Sequence, residues 1–150
     1  MSNTRVNSTA GIDLQDTLVE LTDLALQAKQ LHWNVTGRHF RAVHGHLDEL
    51  TGQVRDAADL VAERAVAIGF APDARALTVT KSSPLADAPE GRVSDAGAVD
   101  HVVAVLTVVT ERLDERIRRL AELDPISQDL LIGVAAGLEK QLWMFSAQQA

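Results

Sequence analysis

The sequence contains no cysteine and no tyrosine, and aromatic residues make up only 3% of its 150 positions. Without cysteine, the protein can form neither a disulfide framework nor a thiolate metal site. No apolar run approaches the roughly 18 residues that a membrane-spanning helix needs, so we expect no membrane partner. The segment 1–12 is polar and lacks the apolar core of a signal peptide, so we expect a cytoplasmic protein.

Basic charge is also scarce. The chain has 14 lysines and arginines against 21 aspartates and glutamates, which gives a formal net charge of −7. Binding of nucleic acid by a folded protein needs a basic patch, and the distribution of basic residues along the chain predicts none. The first 12 residues carry only Arg5, and the last five carry no basic side chain. DNA binding at physiological salt is therefore doubtful.

The composition favours an all-α fold, because alanine, leucine and valine are abundant and there are only four prolines. Four long stretches have apolar residues at three- and four-residue steps, which predicts amphipathic helices. These stretches lie between Asp13 and Gly37, from Arg38 to Ile68, from Asp95 to Leu123, and from Ser127 to Ser146. Short links at both ends and one long connection in the middle predict a four-helix bundle with a crossover.

The segments outside the four stretches carry further expectations. Residues 1–12 are expected to form a flexible arm before a bundle domain at 13–150, with Asp13 capping the first helix. The crossover at 70–94 holds three of the four prolines, and a short helix is expected near 83–88. The sequence also predicts Ser94 as the N-cap of the third long helix.

The second stretch places four potential metal ligands on one helix face. At about 100° per residue, His44, Asp48, Asp59 and Glu63 fall within a sector of roughly 100°. Asp48 and Asp59 are nonetheless about 16 Å apart along the axis, too far for one ion with ligands at roughly 2.0–2.5 Å. A solvated stripe of charge is the simpler alternative.

Two-fold symmetry would join the two halves of this row. The pair His44 and Glu63 and the pair Asp48 and Asp59 have the same midpoint, between residues 53 and 54. If two copies of the helix pack antiparallel about that point, each pair comes level, and two equivalent His/Asp/Asp/Glu clusters form. Crowded carboxylates are costly unless a cation is bound, so the pattern predicts an inter-subunit metal site.

Other residues near this face have open alternatives. His32 ends the apolar stripe of the first helix and is either a packed core histidine or a ligand, and Trp33 is core or interface filler. Arg55 either bridges the two-fold interface or pairs with Asp59 four residues later. The sequence has no Glu-x-x-His motif of the kind that di-iron sites in bundle cores use, which also favours an interface.

A spaced motif in the first two helices resembles the Dps family, the DNA-protecting mini-ferritins of starved bacterial cells. It comprises Lys29-Gln30-Leu31-His32-Trp33-Asn34-Val35, Phe40, His44, Leu47-Asp48-Glu49, Asp59 and Ala62-Glu63-Arg64. The resemblance extends from about Leu14 to Phe145. It implies a ferritin-like bundle assembled as a hollow homo-dodecamer, with a ferroxidase centre at each two-fold interface.

The resemblance also implies which residues hold iron. His32, His44 and Asp48 match the ligands from one subunit, and Asp59 and Glu63 match the carboxylates from across the two-fold axis. Such centres oxidise Fe(II) to Fe(III), preferably with hydrogen peroxide, and ferric oxide is stored in the shell. Carboxylate and imidazole ligands suit this chemistry because they hold both oxidation states of iron.

Two further roles follow from the resemblance, each with a simpler alternative. Trp33 adjoins a ligand and would stabilise the site or accept a stray oxidising equivalent, whereas plain packing is the alternative. Glu122, Asp124 and Asp129 match acidic residues that line iron-entry pores and steer cations. Capping of the last helix by Asp124 or Ser127, with Asp129 facing the helix dipole, is the alternative for this segment.

Two other functions compete with the iron-oxidising interpretation. The same interfacial metal could act as a Lewis acid in hydrolysis, for example of an amide, although no feature indicates a substrate pocket. A nucleoid-associated DNA-binding protein is the second alternative. The chain departs from the family here, because it lacks the lysine-rich tail that DNA-condensing members often use.

Overall fold

Four long helices form a bundle in the computed structural model, which describes the backbone of residues 2–149 and the side chains of residues 9–149. The elements in chain order are α1 (Ser2–Asn34), β1 (Val35–Thr36), α2 (Phe40–Ala67), α3 (Ala76–Ser82), β2 (Val93–Ser94), α4 (Asp95–Leu120) and α5 (Pro125–Ser146). Helix α1 packs mainly against α2, and α4 packs mainly against α5, with α3 in the connection between the two pairs. The predicted all-α bundle with a central crossover is confirmed.

The apolar stripes of the four long helices meet in one core. Its fully buried members include Leu14, Leu21, Leu24 and Leu31 of α1, Leu47, Leu50, Val54 and Val61 of α2, Leu106, Val109 and Leu113 of α4, and Leu131, Leu138 and Phe145 of α5. Burial of these side chains is the main favourable contribution to folding. None of the described helices combines the length and apolar content needed to cross a membrane.

Helix α1 starts earlier than the sequence predicted and runs through most of the segment expected as an arm, residues 1–12. Gly11 lies so close to Phe70 that a Cβ atom on it would be 2.3 Å from Cδ2 of that ring. Asp13 is inside the helix, not at its cap, and its Oδ1 accepts a 2.7 Å hydrogen bond from Arg119. Packing on the rest of the bundle therefore continues across the expected boundary; residue 1 lies outside the described residues.

The crossover helix α3 ends just before the segment 83–88, where the sequence predicted a short helix. Ser83 is extended, with ψ at 131°, because it precedes Pro84 and the proline ring disfavours helical backbone at that position. Ahead of α3, the Asp73 carboxylate accepts a 2.8 Å hydrogen bond from the Thr78 hydroxyl. The helix therefore lies between Pro72 and Pro84, ahead of the predicted segment, and the prediction was wrong in position.

The caps of the last two helices agree with the sequence in one case and correct it in the other. Ser94 accepts a 3.0 Å hydrogen bond from the backbone N–H of Gly97, so its predicted role as N-cap is confirmed. Helix α4 ends before the predicted Leu123. Helix α5 begins before Ser127, because Asp124 is its N-cap and accepts a hydrogen bond from the Ser127 N–H.

A contact that the sequence did not predict holds the start of α2. Strands β1 and β2 pair in parallel, and beside them Oδ2 of Asp95 accepts a 2.7 Å hydrogen bond from the N–H of His39. This backbone hydrogen bond, with a second from Ala96, lowers the pKa of Asp95. Gly37 has φ of 130°, and a Cβ atom there would lie 2.7 Å from the Asp95 carboxylate. The beginning of α2 is thereby fastened to α4.

A buried ion pair lies between α1 and α4. Glu20 and Arg116 have side chains 1% and 2% exposed, and both guanidinium nitrogens of Arg116 reach the carboxylate, at 2.5 and 2.8 Å. Arg112 donates a further hydrogen bond of 2.6 Å to the same carboxylate. Both oxygens of Glu20 are therefore engaged by guanidinium groups.

We expect Glu20→Ala to lower the apparent free energy of unfolding by about 3–5 kcal/mol, because it leaves the Arg116 charge buried without its partner. Thermal unfolding at one fixed protein concentration measures the change. The matched control is Asp114→Ala, which breaks the exposed Asp114–Arg118 ion pair on α4, the helix that carries Arg116. This change should lower the free energy of unfolding by less than about 1 kcal/mol. Equal losses in the two variants would contradict the interpretation.

Candidate metal centre

The two candidate histidines stack on each other across α1 and α2. The ring centroids of His32 and His44 are 3.7 Å apart, with an interplanar angle of 17°. Each ring places its Nδ1 2.8 Å from the backbone carbonyl oxygen of the other residue. A carbonyl oxygen only accepts, so each Nδ1 carries the proton and donates it. In the neutral ring this tautomer leaves Nε2 as the nitrogen that can bind a metal ion.

The hydrogen bonds also orient the two rings. An imidazole that binds metal usually donates its other N–H to a carbonyl or carboxylate, which fixes both tautomer and direction. Phe40 adds a third ring against His44, with centroids 4.9 Å apart. His32 is therefore not an ordinary core histidine: it is half-buried and paired with the other candidate ligand.

Asp48 follows His44 by one helical turn, and its side chain is 55% exposed. Its Oδ1 accepts a hydrogen bond from Nζ of Lys29, a residue of α1. This hydrogen bond is the main reason that the pKa of Asp48 is lowered, and the positive charge of Lys29 adds to it, while slight burial opposes it. Sequence reasoning did not assign Lys29, although its position three residues before His32 places it on the same side of α1.

Asp59 and Glu63 lie on the exposed face of α2, farther along the helix. Among the described residues of a single chain, no group of three or more histidine and acidic side chains is arranged to hold a metal ion. In one chain the rings of His32 and His44 are in contact, Asp48 follows one helical turn after His44, and Asp59 and Glu63 lie farther along α2. The two-fold pairing of the halves stays a prediction.

The face of α2 between the two halves is open. A Cβ atom built on Gly45 or Gly52 would meet nothing within 4 Å, so another chain can approach this part of the helix closely. Val66, three residues after Glu63, is 61% exposed although it is apolar. Arg55 on this face forms no ion pair with Asp59 among the described residues, so that alternative is not seen within one chain.

Trp33 is 69% exposed in the single chain. It directly follows the candidate ligand His32, at the end of α1. The exposure means that packing in the core of its own subunit is not its role. A role for Trp33 at an interface or beside the metal centre stays a prediction.

The three acidic residues near the start of α5 differ in their surroundings: Asp124 caps the helix, whereas Glu122 and Asp129 face solvent. Asp124 is largely buried, accepts hydrogen bonds from Ser127, and receives Nη2 of Arg64 at 2.9 and 3.0 Å. Burial alone would raise the pKa of Asp124, but these hydrogen bonds outweigh it and the pKa is lowered. Glu122 and Asp129 are exposed. Capping is therefore the role the structure shows for Asp124.

The chain matches the family model of the ferritin-like domain over residues 13–150. It is 35% identical over 134 residues to DNA protection during starvation protein 2 of Deinococcus radiodurans, covering 89% of this chain and 56% of that protein. A relative from Mycolicibacterium smegmatis, named DNA protection during starvation protein, is 36% identical, with 89% of this chain and 73% of the relative covered.

A solved structure shows the same fold. The crystal structure of Dps92 from Deinococcus radiodurans superposes with a TM-score of 0.94 at 33% sequence identity. The superposition covers 95% of this chain and 87% of that one. Helix lengths, order and crossover are therefore shared over nearly the whole chain.

Proposed function

The chain belongs to the Dps family of ferritin-like proteins, and on that premise we propose that it oxidises Fe(II) and stores the ferric product. The observation that carries the proposal is the pair of hydrogen bonds from each Nδ1 of His32 and His44 to the opposite backbone carbonyl. With Nδ1 donating, Nε2 of each neutral ring can bind a metal ion, and the carboxylate of Asp48 lies one helical turn after His44. Two imidazoles and a carboxylate form a ligand set that suits iron.

In this proposal the centre is completed by a second copy of the chain. Asp59 and Glu63 are exposed, and the α2 face between the two ligand groups is open at its glycines. An antiparallel pairing of two α2 helices would place these carboxylates opposite His44 and Asp48 of the other copy.

The proposed reaction is a transfer of two electrons. Two Fe(II) ions give up one electron each, and hydrogen peroxide accepts both electrons together with two protons to yield two water molecules. The Fe(III) product hydrolyses to ferric oxide, which we propose is held inside a hollow homo-dodecamer. Removing iron and peroxide together prevents the hydroxyl radicals that they would otherwise form, so the cell is protected from oxidative damage.

We propose further that iron enters near the start of α5. Glu122 and Asp129 are exposed there and can attract cations, while Asp124 is engaged with Arg64 and caps the helix. Arg64 directly follows the proposed ligand Glu63, so this ion pair joins the entry segment to the end of α2 that carries the ligand. Trp33 is proposed as a side chain of the interface beside the centre.

In this proposal, DNA is protected mainly because iron and peroxide are removed in the cytoplasm, and less because the protein binds to DNA. The net charge of −7 disfavours tight binding to the phosphate backbone of DNA. The relatives' names state DNA protection during starvation and do not require direct contact with DNA.

The test is iron loading of the purified protein. The protein receives excess Fe(II) without oxygen, hydrogen peroxide is added, and gel filtration follows protein and iron together. We expect iron in large excess over subunits to elute with a particle of about twelve subunits. A particle holding no more than a couple of metal ions per interface would contradict storage, and the hydrolytic alternative would then come first.

A further inference from the structure

We propose that the indole ring of Trp143 inserts into a pocket on a neighbouring copy of the chain, where its N–H donates a hydrogen bond to Asp95. Repeated from copy to copy, this contact closes a ring of subunits. The inference concerns assembly of the particle and uses neither iron nor the candidate metal ligands. It rests on the proposed function only in taking the homo-dodecamer as the assembled form.

The pocket that receives the ring opens at one end of the bundle, with a volume of about 360 Å³. It lies between the start of α2, the start of α4 and the end of α5. Three exposed alanines, one from each helix, line it together with two buried valines: Ala42, Ala96, Ala147, Val43 and Val99. Because these side chains are small and apolar, the pocket can hold one bulky apolar group.

The same pocket contains a carboxylate, that of Asp95. Its Oδ2 accepts a 2.7 Å hydrogen bond from the N–H of His39, and its Oδ1 accepts a 2.9 Å hydrogen bond from the N–H of Ala96. These hydrogen bonds lower the pKa of Asp95, so the carboxylate is ionised at neutral pH. A carboxylate has about four lone-pair sites, so each oxygen can accept a further hydrogen bond. The pocket therefore suits an apolar group that carries one hydrogen-bond donor.

Trp143 has both properties. Its side chain is 66% exposed in the single chain, and an indole combines a large apolar surface with one N–H donor. It lies one helical turn before Ala147, so the ring and the pocket are at the same end of the molecule. The other exposed aromatic side chains belong to the region of the proposed metal centre, because Trp33 follows a candidate ligand and Phe40 lies against His44.

The ring and the pocket are different surfaces of one chain. Each copy can therefore give its indole to one neighbour and receive an indole from another. Such a contact is heterologous, and it makes a closed ring when the rotation between copies closes. It is distinct from the proposed antiparallel pairing of α2, which joins the same surface on both copies, so the two interfaces together can build a closed shell.

Fluorescence tests whether Trp143 is buried between copies. The sequence has two tryptophans and no tyrosine, so Trp33→Phe leaves Trp143 as the only strongly emitting side chain. We expect acrylamide to quench it at least about threefold less in the assembled particle than in subunits dissociated by dilution, because the ring is buried on assembly. Gel filtration of the same samples measures their size. Equal quenching in the two states would overturn the inference.

Two substitutions test whether this pocket is the place of burial. Ala96→Phe fills the pocket from its own chain, and Trp143→Ala removes the inserted ring. Each should weaken the contact at least about 30-fold, as loss of a central tryptophan anchor does, and should give smaller oligomers where the natural protein forms the full particle. Gel filtration with light scattering measures the sizes. The matched control is Ala104→Phe, an exposed position of α4 outside the pocket, which should assemble normally.

The two variants have to agree. If only one of them weakens assembly, the ring and the pocket belong to different contacts and the inference is wrong; if neither does, the contact does not exist. Both positions are exposed in the single chain, so circular dichroism should show intact helices. Ala42→Phe repeats the pocket test from α2 should Ala96→Phe not fold. Oxidation of Fe(II) is a separate assay, so failure of this contact is distinguishable from failure of the proposed function.

Discussion

Replacing His44 or Asp59 by alanine is expected to slow oxidation of Fe(II) by peroxide at least about 100-fold, while the protein still folds and assembles. His44 is only half-buried, and Asp59 is exposed in the single chain, so neither side chain is part of the apolar core. Each is a proposed metal ligand, and changes to groups that merely support metal ligands already cost about 10- to 100-fold. Loss of a ligand itself should therefore reach or exceed that range.

Stopped-flow absorbance of the ferric product measures the rate, and gel filtration with circular dichroism measures assembly and folding. The matched control is Glu111→Ala, which removes an exposed carboxylate on α4 and should leave the rate unchanged. Unchanged oxidation in both His44→Ala and Asp59→Ala would show that the centre is wrongly placed.

The second large effect is expected when particles are assembled from two different inactive variants. A His44→Ala subunit lacks a ligand of the α1/α2 cluster, and an Asp59→Ala subunit lacks a ligand of the other half. When the two meet across the two-fold axis, one centre combines the intact halves of both, and the other combines the defective halves. Random pairing in equal amounts should therefore restore about one quarter of the natural rate, although each variant alone is inactive.

Co-expression of the two variants with different affinity tags, followed by purification through both tags, yields the mixed particles for the same kinetic assay. The control mixture pairs His44→Ala with Asp48→Ala. Both changes fall in the same half-centre, so every centre lacks one ligand and no activity should return. If neither mixture regains activity, the ligands act within one chain or in a different pairing, and the symmetric centre is refuted.

Sequence periodicity predicted the long helices well because it depends only on local geometry. The expected second helix, 38–68, differs from α2 by one or two residues at each end. Errors occurred where packing or prolines decided the outcome. The helix in the crossover ends before Pro84, and α1 begins ahead of Asp13, where Ala10, Gly11 and Asp13 are buried while Ile12 is 54% exposed.

The histidines show why the chemistry needed more than the sequence. All five are single residues in polar or amphipathic surroundings, and spacing alone cannot tell a ligand from a structural residue. In the fold, His46 stacks on Phe145 and has Nε2 2.8 Å from Gln141, and His101 has Nε2 2.7 Å from Gln27. Ring nitrogens of these two histidines are thereby used in the bundle, whereas the hydrogen bonds of His32 and His44 among the described residues use Nδ1 and leave Nε2 for a ligand.

The sequence by itself determined the helical bundle and the symmetric row of candidate ligands on one face of α2, because both follow from the fixed rotation and rise per residue of a helix. Only the tertiary structure decided three contacts. Nδ1 of His32 lies against the backbone carbonyl oxygen of His44, Lys29 reaches Asp48, and Arg64 forms an ion pair with Asp124. These contacts join residues that are far apart in the chain. They depend on how the helices pack side by side, which local periodicity does not specify.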